Sequence, residues 1–543
     1  MRVPPGVSSK DFSDALQQFE EAVGKEWVFT SDEDVAMYRD AYSPFWGEPD
    51  ELVASAAVAP DGVEQVQKVV RIANTYKIPI YPISTGKNLG YGGSAPAYSG
   101  SVVLDLKRMN RILEVNEKNA YCLVEPGVSY FDLYRYIQEK GIKLWVDVPD
   151  PGWGSPVGNS LDRGGGYLLP QFRNHFDSHC GMEVVLANGE VLRTGMGALP
   201  GAKTWQEYKS GFGPWIDGIF SQSNFGVVTK MGFWMCPAPD SYQVGTVTAP
   251  RYNDLIPLID TLGYLENTGC TNGMPFFGSP LLARGPLGQA GPVPDPELTA
   301  LLARDGGPDP DAMDAYATKK GIHHWSCTVS FYGGPQANAG NWEFAKERFS
   351  AIPGAKFVDE GAYKLPLTPE VQAKFNLPQF GIPSLQMFSI GARSETNPTP
   401  GNGHIWFSPI IPRTGEAVFE ANRVFRAAAK ELDLPIPPFS LPTCYWERAF
   451  IFLFGFPITH DVETNKKNRA AFKKLVAIAA EHGWGEYRTA PAHQATVMDT
   501  YSFNNHALLR FHETLKDAVD PNGILSAGRY GIWPKHLRED AKA

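Results

Sequence analysis

The stretch PISTGKNLGYGG, Pro82 to Gly93, decides how the rest of the chain is read. An apolar run from Ile78 to Ile83 enters it, and Gly86, Gly90, Gly92 and Gly93 crowd its end. Glycine lets a backbone pass close to a ligand and turn its N–H groups inward. Successive inward N–H groups make a nest for an anion such as a pyrophosphate. The loop is not a P-loop, because Gly86-Lys87 is followed by Asn88 where that motif has Ser or Thr. Nor is it a GxGxxG fingerprint opening a helix. Taken alone, it reads equally well as an ordinary glycine-rich turn.

Outward from the loop, VASAAVAP (Val53 to Pro60) reads as a buried strand. Asp61 with Glu64 has the pattern of a capping box. Val63, Val66, Val69, Val70 and Ala73 follow at helical spacing. Strand, helix and strand form a βαβ unit of mononucleotide size. Downstream, Ser101–Leu106, Ala120–Gly127 and Lys143–Val148 read as strands, and Tyr130–Gly141 as a helix. A second loop rich in glycine and serine runs from Pro149 to Gly166. MEVVLANGEVLRTG is a hairpin signal turning at Asn188-Gly189, and Ser223–Met235 is a further strand.

CPAPDSY, at 236–242, breaks the composition and marks a boundary. From Tyr242 to about Trp484, long strands such as HHWSCTVSFYGG and GHIWFSPIIP alternate with amphipathic runs such as EAVFEANRVFRAAAKEL. That alternation predicts an antiparallel sheet with helices on one face. Gly278–Asp314, rich in Pro and Gly, reads as a loop or insertion. A helix is expected near Asn504–Val519, and the first 50 residues give no clear element.

At 543 residues the chain exceeds a single hydrophobic core. Hydrophobic content of 43% and charged content of 20% are those of a globular protein. Thirteen Trp, 22 Tyr and 31 Phe suit a planar cofactor and an aromatic substrate, or simply interface packing. A net charge of −10 without a basic run argues against nucleic acid. No apolar run reaches membrane-span length, and MRVPPGVSSKDF lacks the apolar core of a signal peptide. The six scattered cysteines, with no CxxC pair, fit reduced thiols in the cytoplasm and no metal site.

The glycine loop, PDPGWGSPVGNSLDRGGGY, GMEVVLANGEVLRTGMGALPG, GWGEYRT and the C-terminal DPNGILSAG together resemble the vanillyl-alcohol oxidase family of flavoproteins. The likeness is strongest to the 4-alkylphenol (eugenol) oxidases, within the p-cresol methylhydroxylase superfamily. It implies an α+β fold: a discontinuous FAD-binding domain, residues 1–240 and 487–543, around a large antiparallel-sheet cap domain at 241–486. It also implies that the two glycine loops hold FAD. The residues that carry over are Ser84, Thr85, Gly86, Lys87, Asn88, Gly90 and Gly92 from the first loop. Ser155, Gly158 and Asn159 follow from the second, with Gly226, Val228 and Arg529 beyond. A homo-oligomer, dimer or higher, is the family habit.

His404, in GNGHIWFSP, matches the histidine that tethers FAD covalently in the oxidases of this family. A neutral imidazole is a nucleophile suited to an electron-poor ring methyl. Otherwise it is an ordinary hydrogen-bonded histidine. Tyr91, Tyr487 and Arg488 match family residues that bind the substrate phenol. Two phenolic donors and a fixed guanidinium stabilise a phenolate, which drives hydride from the benzylic carbon toward flavin N5 and leaves a quinone methide. The competing reading pairs Glu486 with Arg488 in a surface ion pair. Asp150, in VDVPDPGWGS, matches the aspartate beside the reacting carbon, where it accepts a proton from added water. A turn former is the alternative, and Asp147 is the weaker competitor.

The resemblance therefore implies an oxidase of para-substituted phenols that reduces dioxygen to hydrogen peroxide. The alternatives are a cytochrome-linked dehydrogenase of the same fold and a flavin-binding protein without turnover. Several segments depart from the family. AYSPFWGEPDEL lacks a histidine, LTPEVQAKFNLPQFGIP offers only Lys374 where an arginine is usual, and GGYLLPQFRNHF and CYWERAF also differ.

Overall fold

Ile80 joins the two ends of the chain. Its N–H donates to the Ile524 carbonyl at 2.7 Å, and its own carbonyl accepts the Ser526 N–H at 2.8 Å. The strand it opens, Ile80–Ile83, is the one that delivers the glycine loop. The structure, a computed structural model, describes residues 2–279, 295–304, 307–385, 398–434, 441, 444–446 and 448–539.

Around Ile80, strands Ala56–Val58, Val102–Asp105 and Ile80–Ile83 run parallel, with Val28–Phe29 antiparallel at the edge. Parallel neighbours need a crossover, and helix Val63–Tyr76 supplies it. Its Val66, Val69, Val70 and Ala73 are buried against Ala56, Val58 and Val102, as their spacing predicts. The capping box does not form. Gly62 is the N-cap with no side-chain bond, and the Asp61 N–H goes to Gln65 instead. The opening residues hold a helix the sequence reading missed, Ser9–Val23, capped by Ser8 and burying Phe12, Leu16 and Phe19.

A five-stranded antiparallel sheet lies next in the chain, in the order 112–116, 121–124, 227–234, 179–185, 191–193. The predicted hairpin is its outer pair, with Glu183 opposite Arg193 and Gly189 at φ 78° in the turn. Helix Tyr130–Lys140 packs on this sheet through Leu133 and Ile137.

The central segment is antiparallel, as expected, but it divides into three ladders rather than forming one sheet. Ser241–Ala249 is flanked by Trp325–Gly333 and Lys356–Lys364 in a four-stranded sheet. Ile410–Pro412 pairs with Ala449–Ile451, and His404–Phe407 pairs with Phe454–Pro457. One core unites them, in which Trp325, Phe331, Phe407, Phe425, Phe450 and Phe472 meet helices Leu255–Asn267, Gly415–Glu431 and Val462–Glu481. The predicted 278–314 loop contains helices Pro296–Leu302 and Pro310–Lys320. Both start with Asp followed by Pro, an N-cap and first-turn signature that the Pro and Gly count obscured. Among the described residues no helix is long and apolar enough to cross a membrane.

Candidate active site

The first glycine loop forms because its backbone needs the left-handed region. Gly86 has φ 66° and Gly90 has φ 76°. At Gly90 a Cβ would lie 2.2 Å from Trp406 Cδ1 and 2.7 Å from His404 Nε2. The second loop leads into the short helix Pro156–Leu161, capped by Ser155. There a Cβ on Gly158 would lie 2.1 Å from Ser84 Oγ, so the two loops meet backbone to side chain.

Between them is an open cavity of about 1070 Å³, mouth included. Ser84, Gly86, Lys87, Asn88 and Gly92 line it from the first loop, and Ser155, Gly158 and Asn159 from the second. Gly226, Val228 and Arg529 complete the predicted set, while Thr85 and Gly90 stand outside the lining. Thr85 Oγ1 is buried without a hydrogen-bond partner among the described residues. The cavity is lined by several glycines and carries the cations Lys87 and Arg529. Those features fit the pyrophosphate of a dinucleotide.

Asp162 is the residue that sequence reasoning missed. Its carboxylate is buried, and it accepts from Arg529 at 3.0 Å, from Asn88 and from the Tyr530 hydroxyl. Arg488 approaches the same carboxylate at 3.5 Å. Burial works to raise its pKa, but the Arg529 and Arg488 charges prevail and hold it below the usual carboxylate range. The signal was there: an acidic residue in an apolar-to-glycine transition, SLDRGGG.

His404 opens a strand and is 3% exposed. Among the described residues, neither ring nitrogen has a hydrogen-bond partner. Burial lowers its pKa to about 3, so the ring is neutral and nucleophilic. Tyr42 and Trp406 meet it edge-on, with centroids at 5.7 and 4.6 Å. The segment without a histidine thus supplies Tyr42. A buried imidazole with two idle nitrogens, beside a glycine-lined cradle, fits attachment of a ring system arriving from the cavity.

The strand bearing His404 also assembles the second group. Ser408 Oγ lies 2.8 Å from the Tyr91 hydroxyl, and the Ser408 carbonyl accepts the Tyr487 N–H at 2.9 Å. Tyr91 and Tyr487, nearly 400 positions apart, therefore meet edge-to-face with ring centroids at 6.1 Å. The Arg488 guanidinium carbon sits 4.1 Å from the Tyr91 ring centre and 4.9 Å from that of Tyr487. The Tyr487 hydroxyl donates to the Arg163 carbonyl. The Glu486–Arg488 pair of the competing reading is not formed. Glu486 is buried and takes the Ser408 N–H at 2.9 Å. Burial raises its pKa to about 8, against the opposing Ser408 bond.

Asp150 sits where the second loop meets the central segment, next to the Gly152 N–H bond to Ser384. Its carboxyl oxygens are buried. Burial raises its pKa to about 7, opposed by Tyr167. Asp147, the competitor, is occupied as a clamp, accepting the Tyr167 and Leu168 N–H groups at 2.8 and 3.0 Å. Lys374 is exposed, and the side chains of Cys444 to Glu447 lie outside the described residues.

Residues 54–195 match a family model described as an FAD binding domain. The flavoprotein subunit of 4-cresol dehydrogenase (hydroxylating) from Pseudomonas putida is 33% identical over 98% of this chain and 97% of its own length. The structure of 4-ethylphenol oxidase from Gulosibacter chungangensis, in its isoeugenol complex, superposes with TM-score 0.79 at 33% identity. It covers 99% of this chain and all of its own. Substrate-bound p-cresol methylhydroxylase gives TM-score 0.80 at 31% identity, covering 98% and 99% of the two chains.

Proposed function

The chain belongs to the family of FAD-dependent oxidoreductases that includes p-cresol methylhydroxylase and 4-ethylphenol oxidase, and from that premise we propose that it is an oxidase of para-alkylated phenols with FAD held through His404. The division proposed with it is 1–240 and 487–543 for the cofactor domain and 241–486 for the cap. One observation carries the substrate reading: a guanidinium over the rings of two tyrosines, one of which lines the cavity.

Arg488 provides a fixed positive charge for a phenolate oxygen and the Tyr91 hydroxyl orients it, while the Tyr487 hydroxyl, which donates to the Arg163 carbonyl in this structure, joins them by turning its proton to the phenolate. Holding the phenol ionised pushes electron density to the para carbon and weakens the benzylic C–H bond. FAD, when bound, supplies the acceptor for that hydride and the route of its electrons to dioxygen, which leaves as hydrogen peroxide. Asp150, with a pKa near neutrality, takes a proton from the water that adds to the resulting quinone methide. The buried, neutral His404 imidazole offers the nucleophilic nitrogen for covalent attachment.

A second reading, a dehydrogenase that hands electrons to a partner protein, is favoured by one observation. The Pseudomonas relative is named as a flavoprotein subunit. Mixing the yellow protein with 4-ethylphenol, first without air and then with it, separates the readings. Bleaching followed by rapid recolouring and peroxide is the oxidase result. Bleaching that persists in air is the dehydrogenase result. A colour that never bleaches, over a panel of para-substituted phenols, removes phenol turnover altogether.

A further inference from the structure

Ser408 touches two members of the phenol site, Tyr91 and Tyr487, and the buried Glu486 at once. It is 0% exposed, and its Oγ lies 2.8 Å from the Tyr91 hydroxyl. Its N–H reaches both Glu486 carboxyl oxygens, at 2.9 and 3.2 Å, and its carbonyl takes the Tyr487 N–H.

The Ser408–Tyr91 contact joins two hydroxyls, so one of them donates, and the choice fixes where the other proton points. A buried hydroxyl proton without an acceptor carries the full desolvation cost of that group. Among the described residues, the only hydrogen-bond partner of Ser408 Oγ is the Tyr91 oxygen. Tyr91, by contrast, lines the cavity. If Tyr91 donated to Ser408, the serine proton would be left in a dry site with nothing to accept it. With Ser408 as donor, the serine proton is accepted and the tyrosine proton is directed away from Ser408, and Tyr91 lines the cavity in which a phenol oxygen would accept it.

We propose that Ser408 is a positioning residue for Tyr91, donating its Oγ–H to the tyrosine oxygen and so committing the Tyr91 proton to the oxygen of the bound phenol. This rests on the reading of Tyr91 as a phenol-binding residue. A hydrogen bond received at the tyrosine oxygen also polarises its O–H, which makes Tyr91 a stronger donor to a phenolate. Glu486 holds the serine in place through its backbone N–H, so the chain Glu486, Ser408, Tyr91 runs from the core to the cavity wall.

The test titrates bound 4-nitrophenol over a pH series in the FAD-loaded full-length protein, reading the phenolate from its visible band. It compares wild type with Tyr91→Phe, Ser408→Ala, Ser408→Thr and Ser408→Cys. In Ser408→Ala the ionisation midpoint rises by about one pH unit, roughly the tenfold preference that one hydrogen bond carries. Ser408→Thr keeps the hydroxyl and restores the wild-type midpoint. Ser408→Cys, a weak donor of similar shape, gives a raised midpoint even where the alanine variant fails to fold. A wild-type midpoint in the Ser408 variants beside a raised one in Tyr91→Phe overturns the role of Ser408 and leaves the phenol reading standing. A midpoint unmoved in Tyr91→Phe overturns both. Loss of FAD or early melting with an unmoved midpoint is what a merely structural serine gives, and it also overturns the proposal.

Discussion

Gly90 carries the first glycine loop across His404 so closely that the smallest side chain there would sit 2.7 Å from the imidazole Nε2. The same glycine accepts the Trp406 N–H through its carbonyl at 3.1 Å. The loop that faces the cofactor cavity and the strand that carries the nucleophile are thus one contact, made possible by a missing Cβ.

Gly90→Ala is therefore expected to act twice. A left-handed alanine costs about 1–2 kcal/mol, and its Cβ displaces His404 and Trp406. Expected outcomes are a lower melting temperature and loss of covalent flavin. Both are read by a melt and by the colour of the acid-precipitated pellet. A variant with wild-type melting and a yellow pellet would refute the contact.

Attachment itself is checked by denaturation. Acid-precipitated wild-type protein keeps its yellow colour, and His404→Ala releases FAD into the supernatant. A colourless wild-type pellet shows that the orphaned imidazole serves another purpose.

In the proposed mechanism, phenol activation depends on Arg488, which lies over the two tyrosine rings. Arg488→Ala should slow anaerobic flavin reduction by about 10²-fold or more, the effect of losing one preorganised charge-stabilising group. The methyl ether of a good substrate, unable to ionise, should not reduce the flavin at all. Equal rates for phenol and ether would sink the mechanism.

Asp162 is expected to matter to both halves of the site. Asp162→Ala leaves Arg529 and Arg488 without their carboxylate in a buried setting. Breaking one side of such a pair costs about 3–5 kcal/mol. Chemical denaturation of the flavin-free protein measures it. A loss below about 1 kcal/mol would show that water replaces the carboxylate.

Three buried carboxyls give the protein a definite pH response. Burial raises Asp40 to about 6, Asp150 to about 7 and Glu486 to about 8. In the unfolded chain such groups ionise near about 4. Between those limits the folded state binds more protons than the unfolded state. Their stabilising contribution is therefore complete below the unfolded value and is lost as pH rises through the folded values. Melting temperature should fall across that window, and Asp40→Asn with Asp150→Asn and Glu486→Gln should flatten the slope. The base role proposed for Asp150 runs the other way, since only the ionised form is a base. The share of water-added product over desaturated product should rise with pH and lose that dependence in Asp150→Asn.

What the sequence reveals here depends on how local the cause is. The strand Ile80–Ile83 and helix Val63–Tyr76 were legible because their apolar residues repeat at the period of the element that buries them. The helix Ser9–Val23 was equally legible, with Ser8 as cap and Phe12, Leu16 and Phe19 on one face, but it was passed over for its mixed composition. The strand Lys356–Lys364 was hidden because it is a sheet edge with charged residues along it, so no buried run announces it. Tyr91 and Arg488 come together only through pairing of Ser408 with Tyr487, which no spacing rule predicts, and resemblance alone pointed to them. Ser408 and Glu486 had no local signature, and that of Asp162, an acid at the apolar-to-glycine transition SLDRGGG, says nothing of its partners. Each is defined by partners from distant segments, and polar residues of that kind are ordinarily solvent-facing.

The strand His404–Phe407, with Ser408 directly after it, serves as a ruler. Alternation in extended chain puts His404, Trp406 and Ser408 on one face. Gly90 lies against the first two, and Tyr91 against the third. Four extended residues span about 13 Å. The proposed anchor for the cofactor ring and the proposed anchor for the phenol oxygen are thus separated by a length of backbone rather than by a packing of side chains. Substitutions elsewhere in the pocket can widen or narrow room for the para chain without altering that length. A single inserted or deleted residue between 404 and 408 would turn one anchor to the opposite face. Variation in substrate size is therefore cheap for this scaffold, whereas variation in the reach between the two anchors is nearly closed to it.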